Sequence, residues 1–331
     1  MTDVKTDVKK CQSQLEWDEI VLQLGGHPLQ LWGWGDVKEA HGWSVVRLTV
    51  YEDNKLIGAA QLLRKPLPQP LGAFVYIPRG PMCTKESREV VLDALVHHVK
   101  QHGNAALISI EPQWDDMPPV QGWKKAKNNV LVAETIIIDL SVAEDALLAD
   151  MTKKTRQYIR KSEKEAIEIR QTKSREEVEA CLALYKETGK RAGFALHDDN
   201  YYVDVKEMLG DHSPIFVATH ANKPIAFLWL AISESVAFEL YGGMNELGQQ
   251  LRANYMLKWH AIQTMKKWGI KQYDVNGLLN EGGSSVKKGF ASHETTLIGA
   301  FDYPLSRLYP LWSVGLPFAK KMIRSVKSLR K

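Results

Sequence analysis

One order of elements is written into this chain twice, and that repetition limits what it can fold into. In the first pass, residues 14–50 predict helix, loop, helix and strand, ending in the alternating stretch 45–50. Asp53-Asn54-Lys55 makes a turn, and 56–63 returns as the partner of a hairpin. Pro66, Pro68 and Pro70 mark a loop, and 74–77 is a strand stopped by Pro78-Arg79-Gly80-Pro81. Residues 86–102 then place Val91, Leu92, Leu95 and Val99 on one helical face, and 105–110 predicts a buried strand ending at Glu111-Pro112. One more strand is expected at 130–140. In the second pass, helix 176–192 precedes strand 215–220, a turn at 221–224, and strands 225–232 and 235–241. A long helix at 251–268 and strands at 271–275 and 294–301 complete it. A meander closed by a helix and a further strand, given twice, predicts two related α+β domains rather than one doubly wound sheet. The expected division is 1–145, completed by 305–331, and 146–304. A chain of 331 residues gives each half enough length to bury its own core.

Charge and cysteine usage narrow the setting. The net charge of +4 is a mild basic bias, so the placement of the cations matters more than their number. Cys11, Cys83 and Cys181 are far apart and form no Cys-x-x-Cys pair, which predicts neither a disulfide framework nor a zinc site and fits a reducing cytoplasm. Residues 1–10 are charged and lack an apolar run, so no secretory leader is expected, and no apolar run is long enough to span a bilayer.

The cations concentrate in 151–170. Lys153, Lys154, Arg156, Arg160, Lys161 and Lys164 crowd its first two-thirds, and at helical spacing Lys153, Arg156, Arg160 and Lys164 fall at i, i+3, i+7 and i+11. Such a face suits a phosphate backbone, and equally a solvated surface. The run Lys154-Thr155-Arg156-Gln157-Tyr158-Ile159-Arg160-Lys161-Ser162-Glu163-Lys164 resembles the Lys-x-Arg-x-x-Ile-Arg-Lys-x-Glu-Lys signature of the Fem family (FemABX). These are aminoacyl-tRNA-dependent transferases that build peptidoglycan cross-bridges. The duplicated element order resembles that family's architecture, two tandem domains like the GNAT-type N-acetyltransferases. Residues 173–276 carry no heptad repeats, so the chain is similar to the armless, FemX-like members rather than those with a coiled-coil arm.

The resemblance implies a reaction and a set of residues. A stem-peptide amine of a lipid-linked or nucleotide-linked peptidoglycan precursor would attack the ester of an aminoacyl-tRNA, with no covalent enzyme intermediate, cofactor or metal. Val286-Lys287-Lys288-Gly289-Phe290 is similar to the family's Phe-Lys-x-Gly-Phe element, with valine in place of the first phenylalanine. Lys287 thereby falls beside the reacting ester, where an ammonium would stabilise the oxyanion or the leaving oxygen. Tyr273-Asp274-Val275-Asn276-Gly277 resembles the family's Tyr-Asp-x-x-Gly. Glu111, at the end of a buried strand, is a candidate proton acceptor or a brace for the neighbouring loop. Lys38, Tyr201, Tyr241 and Asp274 fall to the precursor, as does His197, where some armless members carry arginine. Lys153, Lys154, Arg156, Arg160, Lys161 and Lys164 fall to the tRNA.

Two further stretches bear on rival readings. A coenzyme A-dependent N-acyltransferase needs a glycine-rich pyrophosphate loop, but 247–254 reads Leu-Gly-Gln-Gln-Leu-Arg-Ala-Asn. Residues 307–331 interleave basic and apolar side chains and hold no acid, which suits an anionic membrane surface or packing against the first domain. A non-catalytic RNA- or membrane-binding module is the third reading.

Overall fold

The computed structural model describes residues 5–172, 174–278, 283–311 and 313. The basic amphipathic stretch beyond Ser313 lies outside them, as do Asn280 and Glu281. The chain divides into two compact units. The first comprises residues 1–24, 38–133 and 297–331, the second 25–37 and 134–296.

In the first unit a sheet runs in the order Thr6–Lys10, Ser44–Glu52, Lys55–Pro66, Ala73–Pro78, Leu107–Glu111, Phe301–Pro304 and Lys124–Lys125, with Met82–Cys83 beside Lys55–Pro66. Asp53 and Asn54 both take positive φ, 48° and 65°, which matches the twist of the hairpin they close. The chain leaves Ala73–Pro78, forms the helix Arg88–His102 and returns as Leu107–Glu111, parallel to the strand it left. That helix buries Val91, Leu92, Leu95, Val96 and Val99 against Leu48, Val50, Leu62, Ile77, Ile108 and Ile110. Each fully buried aliphatic side chain contributes about 1.5–3 kcal/mol, and so the helix is fixed on this face. A Cβ at Gly58 would stand 2.5 Å from a Val91 methyl, so glycine there lets the helix approach the sheet.

The second unit repeats the plan. Its sheet runs Ile167–Gln171, Ile215–His220, Lys223–Ile232, Val236–Met244, Gln272–Asp274 and Ile137–Asp139. Val236–Met244 and Gln272–Asp274 are parallel, joined through the helix Ala253–Lys267, which buries Leu257, Trp259, Ala261, Ile262 and Met265. The segment 25–37 belongs here. His27 meets Phe238 edge to face at 4.7 Å, and a Cβ on Gly33 would collide with the Met208 carbonyl oxygen at 2.1 Å.

The structure departs from the expected elements in several places. The strand expected at 130–140 starts later, since Val130 and Leu131 give their N–H groups to the Glu111 carboxylate, and it is two pieces with different partners: Glu134–Thr135 pairs with Thr295–Thr296 and Ile137–Asp139 with Gln272–Asp274. The strand expected at 294–301 also divides. Thr295–Thr296 pairs with Glu134–Thr135, whereas Phe301–Pro304 joins the first unit's sheet beside Leu107–Glu111. The compact units therefore part at 133/134 and 296/297, and 25–37 lies with the second. Thr6–Lys10, not anticipated, is a charged edge strand.

Candidate active site

Lys287 ends the short helix Gly283–Lys287, and its ammonium donates to the carbonyl oxygens of Asn276 and Gly277, the latter at 3.1 Å. Asn276 and Gly277 hold positive φ of 53° and 61°, a pair of left-handed residues that glycine and asparagine adopt most readily. The Asp274 carboxylate fixes this turn by accepting the Asn276 N–H at 2.8 Å, and it also accepts the Thr135 hydroxyl at 2.5 Å. Asp274 is fully buried and braces the turn. Burial lowers the Lys287 pKa to about 8; Glu239 and Asp274 oppose the shift and Lys258 adds to it. Lys288 points elsewhere, pairing with Glu294 at 2.7 Å on the surface.

The basic stretch forms the helix Lys153–Ser162, capped by the Thr152 hydroxyl on Thr155 N–H at 3.2 Å, and it buries Thr155, Ile159 and Ser162. Lys153, Lys154, Arg160, Lys161 and Lys164 are exposed, but the helix ends before Lys164. Arg156 is diverted. Its guanidinium donates to the carbonyls of Leu148 (3.1 Å), Ala149 (3.2 Å) and Met151, closing the end of the helix Glu144–Asp150. This helix and the Lys287 element meet at Gly289, where an added Cβ would lie 2.0 Å from the Thr155 hydroxyl, and the Gly289 carbonyl accepts Thr152 N–H at 3.0 Å. Glycine in the motif is thus a contact requirement. Arg252 was not anticipated. Its guanidinium lies over the Tyr158 ring at 4.6 Å, and the Lys154 ammonium lies 5.6 Å from the same ring.

Tyr201 and Tyr241 come together and share a hydroxyl hydrogen bond. Burial raises the Tyr201 pKa to about 12, and burial likewise holds the Tyr241 hydroxyl well above its ordinary value. Tyr202 meets Tyr241 edge to face at 5.0 Å, and Tyr185 and Trp229 each stand 5.5 Å from Tyr241. The exposed His197 stacks on Tyr201 at 4.0 Å, so an aromatic wall carries one imidazole at its rim.

In the first unit, Glu111 is buried and accepts from the Tyr76 hydroxyl, Val130 N–H (2.6 Å) and Leu131 N–H (2.9 Å). Burial raises its pKa, against the pull of these donors and of Arg79. The carboxylate therefore ties strand to loop. Lys38 lies in the last turn of the helix Trp32–Ala40, and burial brings its pKa down to about 8.

The stretch that would cradle a pyrophosphate in a GNAT enzyme is a short capped helix, Glu246–Gln250. Asn245 accepts Gly248 N–H at 2.9 Å, and a Cβ on Gly248 would meet the Ile225 carbonyl oxygen at 2.3 Å. Its one glycine serves packing against a strand. Among the described residues, no group of three or more His, Cys, Asp or Glu side chains is placed to hold a metal ion.

This duplicated architecture is that of tandem GNAT-like proteins. A tandem GNAT protein from the clavulanic acid biosynthesis pathway superposes with a TM-score of 0.54 at 10% identity, covering 91% of this chain and 99% of that one. FemX superposes with a TM-score of 0.81 at 20% identity, covering 92% and 99%. The model of the FemAB family matches residues 20–118, 120–224 and 220–314, so the chain belongs to the FemAB family. Among curated relatives, the lipid II:glycine glycyltransferase of Staphylococcus epidermidis is 25% identical over 221 residues, and that of Staphylococcus aureus (strain MRSA252) 27% over 222. These alignments cover 60% and 61% of this chain, which spans about half, 52%, of each relative's length.

Proposed function

We propose that this protein is an aminoacyl-tRNA-dependent transferase that extends the stem peptide of a peptidoglycan precursor. The observation that carries the reading is the union of two motifs at Gly289: a half-buried ammonium, Lys287, joined to a helix whose exposed face is basic. The amine nitrogen of the precursor attacks the ester carbonyl of the charged tRNA. A C–N bond forms, the bond to the ribose oxygen breaks, and that oxygen takes up the proton the amine loses. Lys287 stabilises the negative charge that develops on the carbonyl oxygen or on the leaving ribose oxygen. Lys153, Lys154, Arg160, Lys161 and Lys164 hold phosphates of the RNA, with Arg252 extending the face. Lys38, His197, Tyr201 and Tyr241 receive the precursor. The relatives named for lipid II favour a lipid-linked acceptor, reached at the cytoplasmic face of the membrane. Among the described residues no helix is long and apolar enough to cross that membrane, and contact through 307–331 would be peripheral.

Incubation with charged tRNA pools and lipid-linked or nucleotide-linked precursors tests the reading. The precursor should gain the mass of an aminoacyl residue, and only with charged tRNA. A mass gain driven by acetyl-coenzyme A alone, or none with any charged pool, would overturn it.

A further inference from the structure

Beneath Lys287 lies a polar cluster that the reaction does not itself require. Glu239, on the strand Val236–Met244, and Lys258, on the helix Ala253–Lys267, form an ion pair with side chains only 7% and 8% exposed. The same Glu239 oxygen accepts the Tyr273 hydroxyl at 2.8 Å. The Glu239 backbone carbonyl accepts the Asn276 side-chain amide at 2.7 Å. Asn276 is one of the two residues whose carbonyls hold the Lys287 ammonium. A buried ion pair is a weak way to stabilise a fold, since apolar side chains of similar volume serve as well or better. Its placement here has a different use.

We infer that Glu239, Lys258 and Asn276 are positioning residues for Lys287, fixing where its ammonium stands. Two links carry this. The mechanical link runs from the Glu239 backbone through the Asn276 amide to the left-handed turn whose carbonyls receive Lys287. The electrostatic link is the opposed action of the charged groups that face Lys287. Glu239 and Asp274 favour its protonated form and Lys258 disfavours it. Tyr273, also in the cluster, binds Glu239 rather than Lys287. Removal of either member of the ion pair should therefore move Lys287 in opposite directions, and removal of both should nearly cancel. A purely structural pair predicts no such ordering.

The inference rests on the proposed role of Lys287, but its test need not depend on transfer activity. Labelling of Lys287 with acetic anhydride across pH, read by mass spectrometry, reports its ionisation directly. Glu239→Gln should lower the midpoint by roughly one unit, Lys258→Met should raise it by a similar amount, and the double variant should lie near the parent. Coincident midpoints in folded variants would overturn the inference. Should the single variants not fold, Asn276→Gly keeps the positive φ and removes only the amide tether. It should lower kcat by roughly 10- to 100-fold with KM held, because the ammonium is no longer fixed at the reacting atoms. An unchanged kcat, or a loss confined to KM, would overturn it as well. If the parent transfers no amino acid yet the labelling order appears, the proposed function falls and the positioning stands.

Discussion

Replacement of Lys287 by methionine is the sharpest test of the proposed chemistry. Methionine fills a similar volume and deletes the ammonium held by Asn276 and Gly277. An electrostatic contact made only in the transition state typically contributes about 2.7–4 kcal/mol, so turnover should fall roughly 100- to 1000-fold. Binding of either substrate should change far less. The lowered pKa adds two signatures of opposite sign. Lys287 acts in its protonated form, so the parent's kcat should decline as pH rises through about 8. Stability should move the other way. The unfolded chain titrates at the ordinary 10.5, so between about 8 and 10.5 it holds the proton that the folded chain has lost. Over that window of about 2.5 units the parent gains up to roughly 3 kcal/mol that the methionine variant does not show. Lys288→Met, which breaks only the surface pair with Glu294, should be nearly silent. Single-turnover rates with saturating charged tRNA and precursor, alongside urea titrations from pH 7 to 10, measure all of this. Equal rates for the two methionine variants, or a Lys287→Met defect confined to KM, would refute the reasoning.

Other expectations follow from the same geometry. Charge reversal at Lys153, Lys154 or Arg160 should weaken tRNA binding and reduce the log–log salt slope by about one per contact, measured by filter binding across ionic strengths. Arg156→Ala should instead lower stability by about 1–3 kcal/mol in denaturant titration, since it uncaps the carbonyls of Leu148, Ala149 and Met151. Glu111→Gln sets an amide nitrogen against backbone donors at Val130 or Leu131 and should destabilise the first unit by about 1–3 kcal/mol; a thermal midpoint equal to the parent's counts against the bracing role. A chain ending at Ser313 should lose affinity for anionic vesicles in sedimentation, whereas equal partitioning would exclude the basic tail as the attachment.

Much of this molecule is legible in its sequence because both halves rest on local periodicity. The alternation at 45–50 and 56–63 and the apolar face of Arg88–His102 are short-range patterns that tertiary packing did not need to override. The motif around Lys287 stands out in the sequence, and the close contact at Gly289 gives a physical reason for its glycine. What stayed hidden depends on partners far apart in the chain. Thr135 can pair with Thr295 only once the intervening unit has folded, so neither short strand is visible as such. Arg156 looks like its neighbours in the basic run until three carbonyls are brought under it. Lys258 follows an apolar position on a helix, and nothing local announces that Glu239 will face it. The pattern of one strand says nothing about the register of another.

The path of the chain through its two units sets an order on its assembly. The second unit draws on 25–37 and then on nothing later than residue 296, whereas the first takes its last sheet strand from Phe301–Pro304. A ribosome that has released the first 133 residues has therefore delivered a sheet with Leu107–Glu111 bare along one side. That edge must wait, through synthesis of the whole second unit, for its antiparallel neighbour. During this interval the nascent protein presents unpaired backbone to chaperones and to other chains. Truncations before residue 301 should therefore aggregate through the first unit even though the residues they lose lie at the far end of the sequence.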